Sequence, residues 1–222
     1  MSELSLRPAT AADAEAVAAI WWEGWRIGHL GHVPEALVAV RTPESFRARA
    51  AARVADTVIA VADGTNQPSG TARDWSRPAD GTDSPADQQR GAADQTSGAA
   101  DQPSGAADQT SGAADRAGGN GPEIAGFVMV VRDEVEQVYV SAAHRGSGAA
   151  SVLLAEAERL VAAGGYGRAW LAVVAGNTRA RRFYERSGWV DDGLFDYAAA
   201  VPGGVLAVPA HRYLKRIVAP SA

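Results

Sequence analysis

The sequence contains no cysteine and only one lysine, Lys215. The lack of cysteine excludes disulfides, thiolate nucleophiles and cysteine-type zinc sites. The four histidines have no metal-ligand spacing, so we expect no metal. No apolar run approaches the ~18 residues that span a bilayer, and the N-terminus lacks the pattern of a signal peptide. With a net charge of −5, neither nucleic acid nor an anionic membrane is an expected partner, and we predict a cytoplasmic protein.

Large apolar residues other than Trp75 are also missing from one internal segment. Between Gly64 and Gly121 there is no Leu, Ile, Val, Phe, Tyr or Met, and residues 91–118 repeat a GAADQTS-type heptapeptide. A coiled coil needs large apolar residues at two heptad positions, and this repeat offers only alanine. Because such a segment cannot bury enough surface to offset its chain entropy, we predict a disordered, low-complexity insert over residues 64–121. The insert would divide one domain into residues 1–63 and 122–219.

Apolar patterning outside the insert predicts alternating strands and helices. The predicted order is β-α-α-β before the insert and β-β-α-β-α-β-β after it. The predicted strands are 4–7, 57–61, 123–131, 134–140, 168–174, 189–197 and 210–217, and the predicted helices are 11–25, 43–55, 151–161 and 179–187. A turn is expected at 201–209, where Pro202 is followed by two glycines.

A loop of small residues joins the strand that ends at Val140 to the helix that begins at Ser151. The free N–H groups and the positive dipole end of a helix suit a phosphate or pyrophosphate. Small residues allow close approach of the backbone, and Arg145 adds a positive charge. Neither the P-loop nor the dinucleotide fingerprint fits this loop, and a tight turn without a ligand is the alternative interpretation.

Two motifs together resemble the GCN5-related N-acetyltransferase (GNAT) family. The first is Arg145-Gly146-Ser147-Gly148-Ala149-Ala150, and the second comprises Asn177, Ala180, Phe183, Tyr184, Gly188 and Trp189. The resemblance implies an α/β (α+β) fold, the GNAT acyl-CoA N-acyltransferase fold. It has a central, mixed, twisted sheet with helices on both faces, in which the fourth strand splays from the parallel fifth strand. It also implies acetyl-CoA as the acetyl donor.

By the same resemblance, the cofactor lies in the cleft between the splayed strands. The pantetheine amides would pair with the backbone of Val138, Tyr139 and Val140. Asn177 would cap a helix and contact the cofactor, with Phe183 beside it in the motif. The pyrophosphate would be held by Arg145, Gly146, Ser147, Gly148, Ala149, Ala150 and Ser151.

Tyr184 is the predicted general acid. It follows Asn177 by seven residues, about two helical turns, so both can face the cleft, where a phenol can protonate a leaving thiolate. The alternative is an aromatic side chain packed in the core. Glu134 and Glu136 lie two apart on one strand, project from the same face and are the candidate bases. They could instead be solvated charges, with a water chain removing the proton.

The resemblance also implies an acceptor site built from the first two helices, their connection and the last β-hairpin. Trp21 and Trp25 share a helical face, and His29 and His32 follow in the connection. Such a wall could bind a hydrophobic or aromatic amine by cation–π contact. The alternative is that the tryptophans pack in the core and the histidines are solvated. Tyr197 and Tyr213 are further candidates for lining this site.

These features predict an acetyl-CoA-dependent N-acetyltransferase. A primary amine, a small molecule in preference to a protein, would attack directly in a ternary complex, because no nucleophile suited to an acyl-enzyme is visible. The alternatives are a protein N-terminal or lysine acetyltransferase and a non-catalytic acyl-CoA-binding regulatory module. A homodimer is left open.

Overall fold

The computed structural model describes residues 4–62 and 123–217. The predicted insert and its repeats therefore lie outside the described residues. The strands β1–β7 are Leu4–Pro8, Thr57–Ala62, Glu123–Val131, Glu134–Val140, Arg168–Val174, Val190–Val201 and Gly204–Arg216. The helices α1–α5 are Ala14–His29, Glu35–Val40, Pro43–Ala52, Ala149–Ala163 and Thr178–Arg186.

The strands form one seven-stranded sheet in the order β1-β2-β3-β4-β5-β7-β6. Strands β4 and β5 are parallel, and every other neighbouring pair is antiparallel. A single register pair, Glu134 with Trp170, joins β4 to β5, supported by a 2.9 Å hydrogen bond from the Trp170 N–H to the Asp133 carbonyl. Beyond that pair the two strands separate. The predicted splay is confirmed, and we call the opening between β4 and β5 the seam.

Helices cover both faces of the sheet, as predicted. On one face, α4 packs Leu153 and Val161 against Val128 and Leu171, and all four side chains are almost fully buried. On the other face, α1 and α3 form a second apolar cluster over β2 and β3. Burying each large side chain contributes about 1.5–3 kcal/mol. The two layers therefore hold the sheet rigidly on either side of the seam.

Three local predictions differ from the structure. Helix α1 continues to His29, so that this residue is helical, and the six-residue helix α2 was not predicted. The predicted turn at 201–209 is wrong, because β6 and β7 pair as far as Val201 and Gly204. The turn is tight because Gly203 adopts a φ of 81°. Pro209 is tolerated in β7 because β5 pairs only from Ala210 onward, which leaves the proline with one neighbouring strand.

Among residues 4–62 and 123–217, none of the helices has both the length and the apolar character that a bilayer crossing demands.

Candidate active site

The seam exposes one edge of β4. The Ser141 N–H donates to the Ala125 carbonyl at 2.9 Å, so alternate residues of β4 face β3. By this alternation the backbone groups of Tyr139 pair with β3, whereas those of Val138 and Val140 point into the seam. An extended chain carrying amides can pair with such an edge. The edge therefore fits a pantetheine arm at two of the three predicted strand residues.

Tyr139 contributes a different contact. Its ring lies against Gly24 of α1, where an added Cβ would collide with it. One turn later, a Cβ on Gly28 would stand 2.8 Å from Nδ2 of Asn177. These two glycines let α1 approach the sheet closely, so the helix forms one wall beside the seam.

The loop after β4 presents several unpaired backbone donors. Gly146 and Gly148 have φ values of 84° and 91°, which other residues rarely adopt. Helix α4 begins after Gly148, whose position has no side-chain cap. The N–H groups of Gly146, Gly148 and Ala150 meet no acceptor among the described residues, whereas Ala149 donates to Ser147 Oγ at 3.3 Å. These free donors at a helix N-terminus match the requirements of a pyrophosphate.

Two other loop positions are already engaged. The Ser151 N–H donates to the Gly148 carbonyl at 3.0 Å. The Arg145 guanidinium donates to Glu23 of α1 at 2.9 Å, with both side chains partly exposed. Such a pair contributes about 1 kcal/mol or less. The positive charge that Arg145 was expected to add to the loop is therefore paired with a carboxylate.

A cavity of about 460 Å³ opens along the seam and extends under α1 and α3. Asn177 and Tyr184 line it together with Glu134, Tyr197 and Trp25. One continuous space therefore joins some of the predicted cofactor residues (Val138, Tyr139 and Asn177) to the predicted base and acceptor residues, whereas the loop 145–151 lies outside its lining.

Helix α5 supplies Asn177 and Tyr184. The Asn177 Oδ1 accepts a hydrogen bond from the Ala180 N–H at 3.1 Å, which confirms the predicted cap. The Tyr184 ring is packed edge-to-face against Phe183 and Trp189, with 9% of the residue exposed. Its hydroxyl donates to none of the described residues, and burial raises the pKa of this phenol above its usual value. Tyr184 is thus both a packed aromatic and a protonated group on the cavity wall, with Phe183 supporting it.

The two candidate bases have different surroundings. Glu134 accepts a hydrogen bond from the Tyr197 hydroxyl at 3.0 Å. Burial raises the pKa of Glu134 to about 7, although that hydrogen bond acts in the opposite direction. Glu136 sits at an irregularity in the β3–β4 pairing, and the Arg53 guanidinium donates to both of its oxygens. Glu134 is therefore the carboxyl that can exchange a proton near neutral pH.

The predicted acceptor residues are divided between the cavity and the surface. Trp21 and Trp25 are 1% and 5% exposed and pack against Phe46, so the expected core packing and the lining role coexist. His29 stacks on Trp25 at a centroid distance of 5.1 Å and also lines the cavity. Burial lowers the pKa of His29 to about 4, which keeps the imidazole neutral.

His32 and Tyr213 lie elsewhere. His32 is exposed, and its ring covers the backbone of Gly176 outside the cavity wall. The expectation that Tyr213 lines the acceptor site is corrected. Tyr213 is fully buried in the cluster under α4. Its hydroxyl donates to Glu185 at 2.9 Å and accepts from Arg181 at 3.1 Å.

Two arginines on the cavity wall were not identified from the sequence. Arg41 is 7% exposed and donates to the Ala200 carbonyl at 2.8 Å. The Arg49 guanidinium lies 5.0 Å from the centroid of the Trp21 ring, and its buried Nε meets no hydrogen-bond partner among the described residues. A weak signal was present, because Arg49 follows Phe46 by three residues and therefore shares its helical face.

The model of the family described as "Acetyltransferase (GNAT) family" matches residues 86–189. Among solved structures, the GCN5-related N-acetyltransferase "Aminotransferase, Class-II" from Rhodopseudomonas palustris shares 17% identity, with 97% of each chain covered and a TM-score of 0.55. YncA, a putative acetyltransferase from Salmonella typhimurium with its cofactor acetyl-CoA, shares 14% identity over 100% of this chain and 98% of its own, with a TM-score of 0.51. PaiA N-acetyltransferase from Thermoplasma acidophilum in complex with coenzyme A shares 13% identity over 96% and 99%, with a TM-score of 0.50. No curated protein matches the sequence.

Proposed function

We propose that this chain belongs to the GCN5-related N-acetyltransferase (GNAT) family, whose model matches residues 86–189, and that it transfers an acetyl group from acetyl-CoA to a primary amine. The amine attacks directly in a ternary complex, and the acceptor is a small molecule. The observation that carries the proposal is the single cavity that joins the seam and Tyr184 to Glu134. Two structures with similar folds contain coenzyme A or acetyl-CoA, which supports the choice of donor.

The residues along the seam fit the donor. Val138 and Val140 offer backbone groups to the amides of a pantetheine arm, and the free N–H groups of Gly146, Gly148 and Ala150 suit its diphosphate. Acetyl-CoA supplies the acetyl group in activated form, as a thioester. A backbone donor in a site that excludes water can also stabilise developing negative charge on a carbonyl oxygen.

Two side chains on the cavity wall, Glu134 and Tyr184, can accept and donate the protons of the reaction. Glu134 is poised to accept a proton from the incoming ammonium group, since its pKa of about 7 lets it be ionised at neutral pH while remaining basic. Tyr184 keeps its proton at Oη because burial raises its pKa. It can therefore donate this proton to the thiolate of coenzyme A, which leaves when the amine attacks the thioester. Across the seam, one of the β5 residues on the cavity wall is Ala172, whose methyl group cannot act as a base.

The Tyr184→Phe variant tests the proposal. We expect turnover to fall ~10²–10⁴-fold across a panel of amines, because the proton donor is lost while the ring that packs remains. Calorimetry should show nearly unchanged acetyl-CoA affinity. Tyr166→Phe is the matched control, since Tyr166 lies outside the cavity wall.

Three results would each overturn a part of this proposal. Failure of the folded wild-type protein to bind acetyl-CoA would remove the donor. Tight binding without transfer to any amine would instead identify a non-catalytic acyl-CoA-binding module. Transfer to protein N-termini or lysines, with no small amine accepted, would replace the proposed acceptor class.

A further inference from the structure

We propose that the acceptor carries a carboxylate or a comparable anionic group in addition to its amine, and that Arg41 and Arg49 form the subsite that binds this group. The inference rests on the proposed function, because it names the acceptor class of the same site. It starts from two arginines that the proposed chemistry does not use: Arg41, which is buried, and Arg49, which is half-buried with its Nε atom inaccessible.

Arg41 and Arg49 are cations without a partner carboxylate among the described residues. Arg41 ends helix α2, and its described hydrogen bond goes to a neutral carbonyl, that of Ala200. Arg49 lies in α3 with its Nε buried and unbonded. Burial lowers the pKa of Arg41 to about 10 and also lowers the pKa of Arg49. Burying an unpaired cation is costly, so such groups are normally paired with a counter-ion.

The neighbouring Arg53 shows the contrast. It also lines the cavity, one helical turn beyond Arg49, and it is bonded to both Glu136 and Asp56. The described carboxyl groups on the wall are Asp56, Glu134 and Glu136. Arg53 binds two of them, and Tyr197 binds Glu134. The described wall therefore leaves the guanidiniums of Arg41 and Arg49 for an anion that enters with a ligand.

Tyr197 relates these cations to the reaction centre. Its hydroxyl donates to Glu134, and both guanidiniums lie close enough to interact electrostatically with the same side chain. A molecule whose amine sits at Glu134 can thus place an anionic group against the arginines within the same cavity. The guanidinium fork suits a carboxylate through paired hydrogen bonds.

The same two cations act against other acceptors. A purely cationic amine, such as a polyamine, meets like charge in a poorly solvated space. A neutral amine leaves the guanidiniums uncompensated. Selectivity of this kind combines an attraction for the right substrate with a penalty for the wrong one. Because the cavity of about 460 Å³ must also admit a pantetheine arm, the structure favours a small amino-acid-like acceptor over a protein surface.

Matched pairs of free amino acids and their carboxamides test the proposal. Each pair keeps the amine and the side chain and changes only the anionic group. After correction for the fraction of free amine, we expect kcat/KM to favour the carboxylate by about 10- to 100-fold. In a second series, kcat/KM is measured for short peptides that have an acidic residue near a free N-terminus. Comparison with the free amino acids shows which of the two supplies the carboxylate.

Variants locate the effect. In Arg49→Gln and Arg41→Gln we expect KM for the carboxylate to rise at least about tenfold, with little change for the carboxamide. Arg49→Lys, which keeps the charge and loses the fork, should recover part of the preference. Arg47→Gln is the control, because Arg47 is exposed on the same helix. Calorimetry with acetyl-CoA and thermal unfolding report whether each variant is folded.

The outcomes separate this inference from the proposed function. Equal use of carboxylates and carboxamides, or an unchanged preference in both glutamine variants, overturns the inference and leaves the acetyltransferase intact. Absence of transfer to both series, while other amines of the panel are acetylated, also overturns the inference alone; absence of transfer to every amine, with acetyl-CoA bound, overturns the proposed function and the acceptor class with it.

Discussion

Glu134 lies in an environment unlike that of an ordinary surface carboxyl. The groups that affect it are Tyr197, Glu136, Arg53 and Asp133. Burial and the two neighbouring carboxylates raise its pKa, whereas Tyr197 and Arg53 lower it, and the balance is a value of about 7. A carboxyl group tuned to neutral pH inside a cavity is typical of a general base.

The pH profile of kcat/KM tests this role. Glu134 accepts a proton only when it is ionised, and its ionised fraction grows as the pH rises through about 7, so activity should rise over that interval. Tyr197→Phe removes a hydrogen bond that stabilises the ionised form, so we expect the inflection to move to higher pH. Glu134→Gln should abolish the inflection and lower kcat by ~10²–10⁴-fold.

Tyr213→Phe provides the control for Tyr197→Phe, because the Tyr213 hydroxyl is bonded to Glu185 and Arg181 outside the cavity wall. It should leave the midpoint of the profile in place. An identical inflection in Glu134→Gln would show that another group titrates, and it would exclude Glu134 as the base.

The residues of the site were predictable where one chain segment determines their place. The spacing from Asn177 to Tyr184 is fixed by a single helix, and both line the cavity. Arg41 and Arg49 were not predictable, because their burial depends on contacts with β6 and with Trp21, which lie far away in the sequence. Charge carries no local signal of burial, since most arginines are on surfaces.

At the level of elements, the loop before α4 combines two left-handed glycines with a helix N-terminus. Gly148→Ala adds a Cβ that meets open space, so its effect comes from the strained φ of 91°. We expect a loss of about 1–2 kcal/mol in unfolding free energy and weaker acetyl-CoA binding, because the free N–H groups move. Urea unfolding and calorimetry measure the two effects.

Gly165→Ala is a matched control for that loop. Gly165 has a φ of 82° and equally open surroundings, but it follows the other end of α4. Its substitution should cost similar stability without changing acetyl-CoA affinity. Equal affinity in both variants would show that the loop does not hold the diphosphate.

The elements themselves were predictable in proportion to their length and pattern. Strands β3, β4 and β5 were predicted with the bounds they have, because each is a compact apolar run between clear breaks. Helix α2 has six residues and depends on Leu37 packing into the cluster under α1, so its own sequence hardly specifies it. The extent of the β6–β7 hairpin was underestimated because Pro202 and the two glycines after it mark a turn without fixing where the flanking strands end.

For the whole molecule, residues 64–121 lie in the sequence between the end of β2 and the beginning of β3. Ala62 and Glu123 are register partners at the ends of neighbouring antiparallel strands. A short turn can therefore replace the segment, and closing such a connection has little dependence on loop length. We expect the protein without residues 64–121 to keep its thermal unfolding temperature and its acetyl-CoA affinity. Loss of either would show that the segment supports the domain.

The seam between β4 and β5 leaves the backbone pairing of the sheet incomplete. β1–β4 form one half-sheet and β5–β7 the other, and in the part of the chain that the structure describes a single register pair, Glu134 with Trp170, joins them. A bound ligand with amide groups can hydrogen-bond to the exposed edge of β4, as an added strand does in β-augmentation. Occupancy would then tie the two halves together, so the amides of β4 that border the opening should exchange with solvent more slowly in the loaded protein than in the empty one.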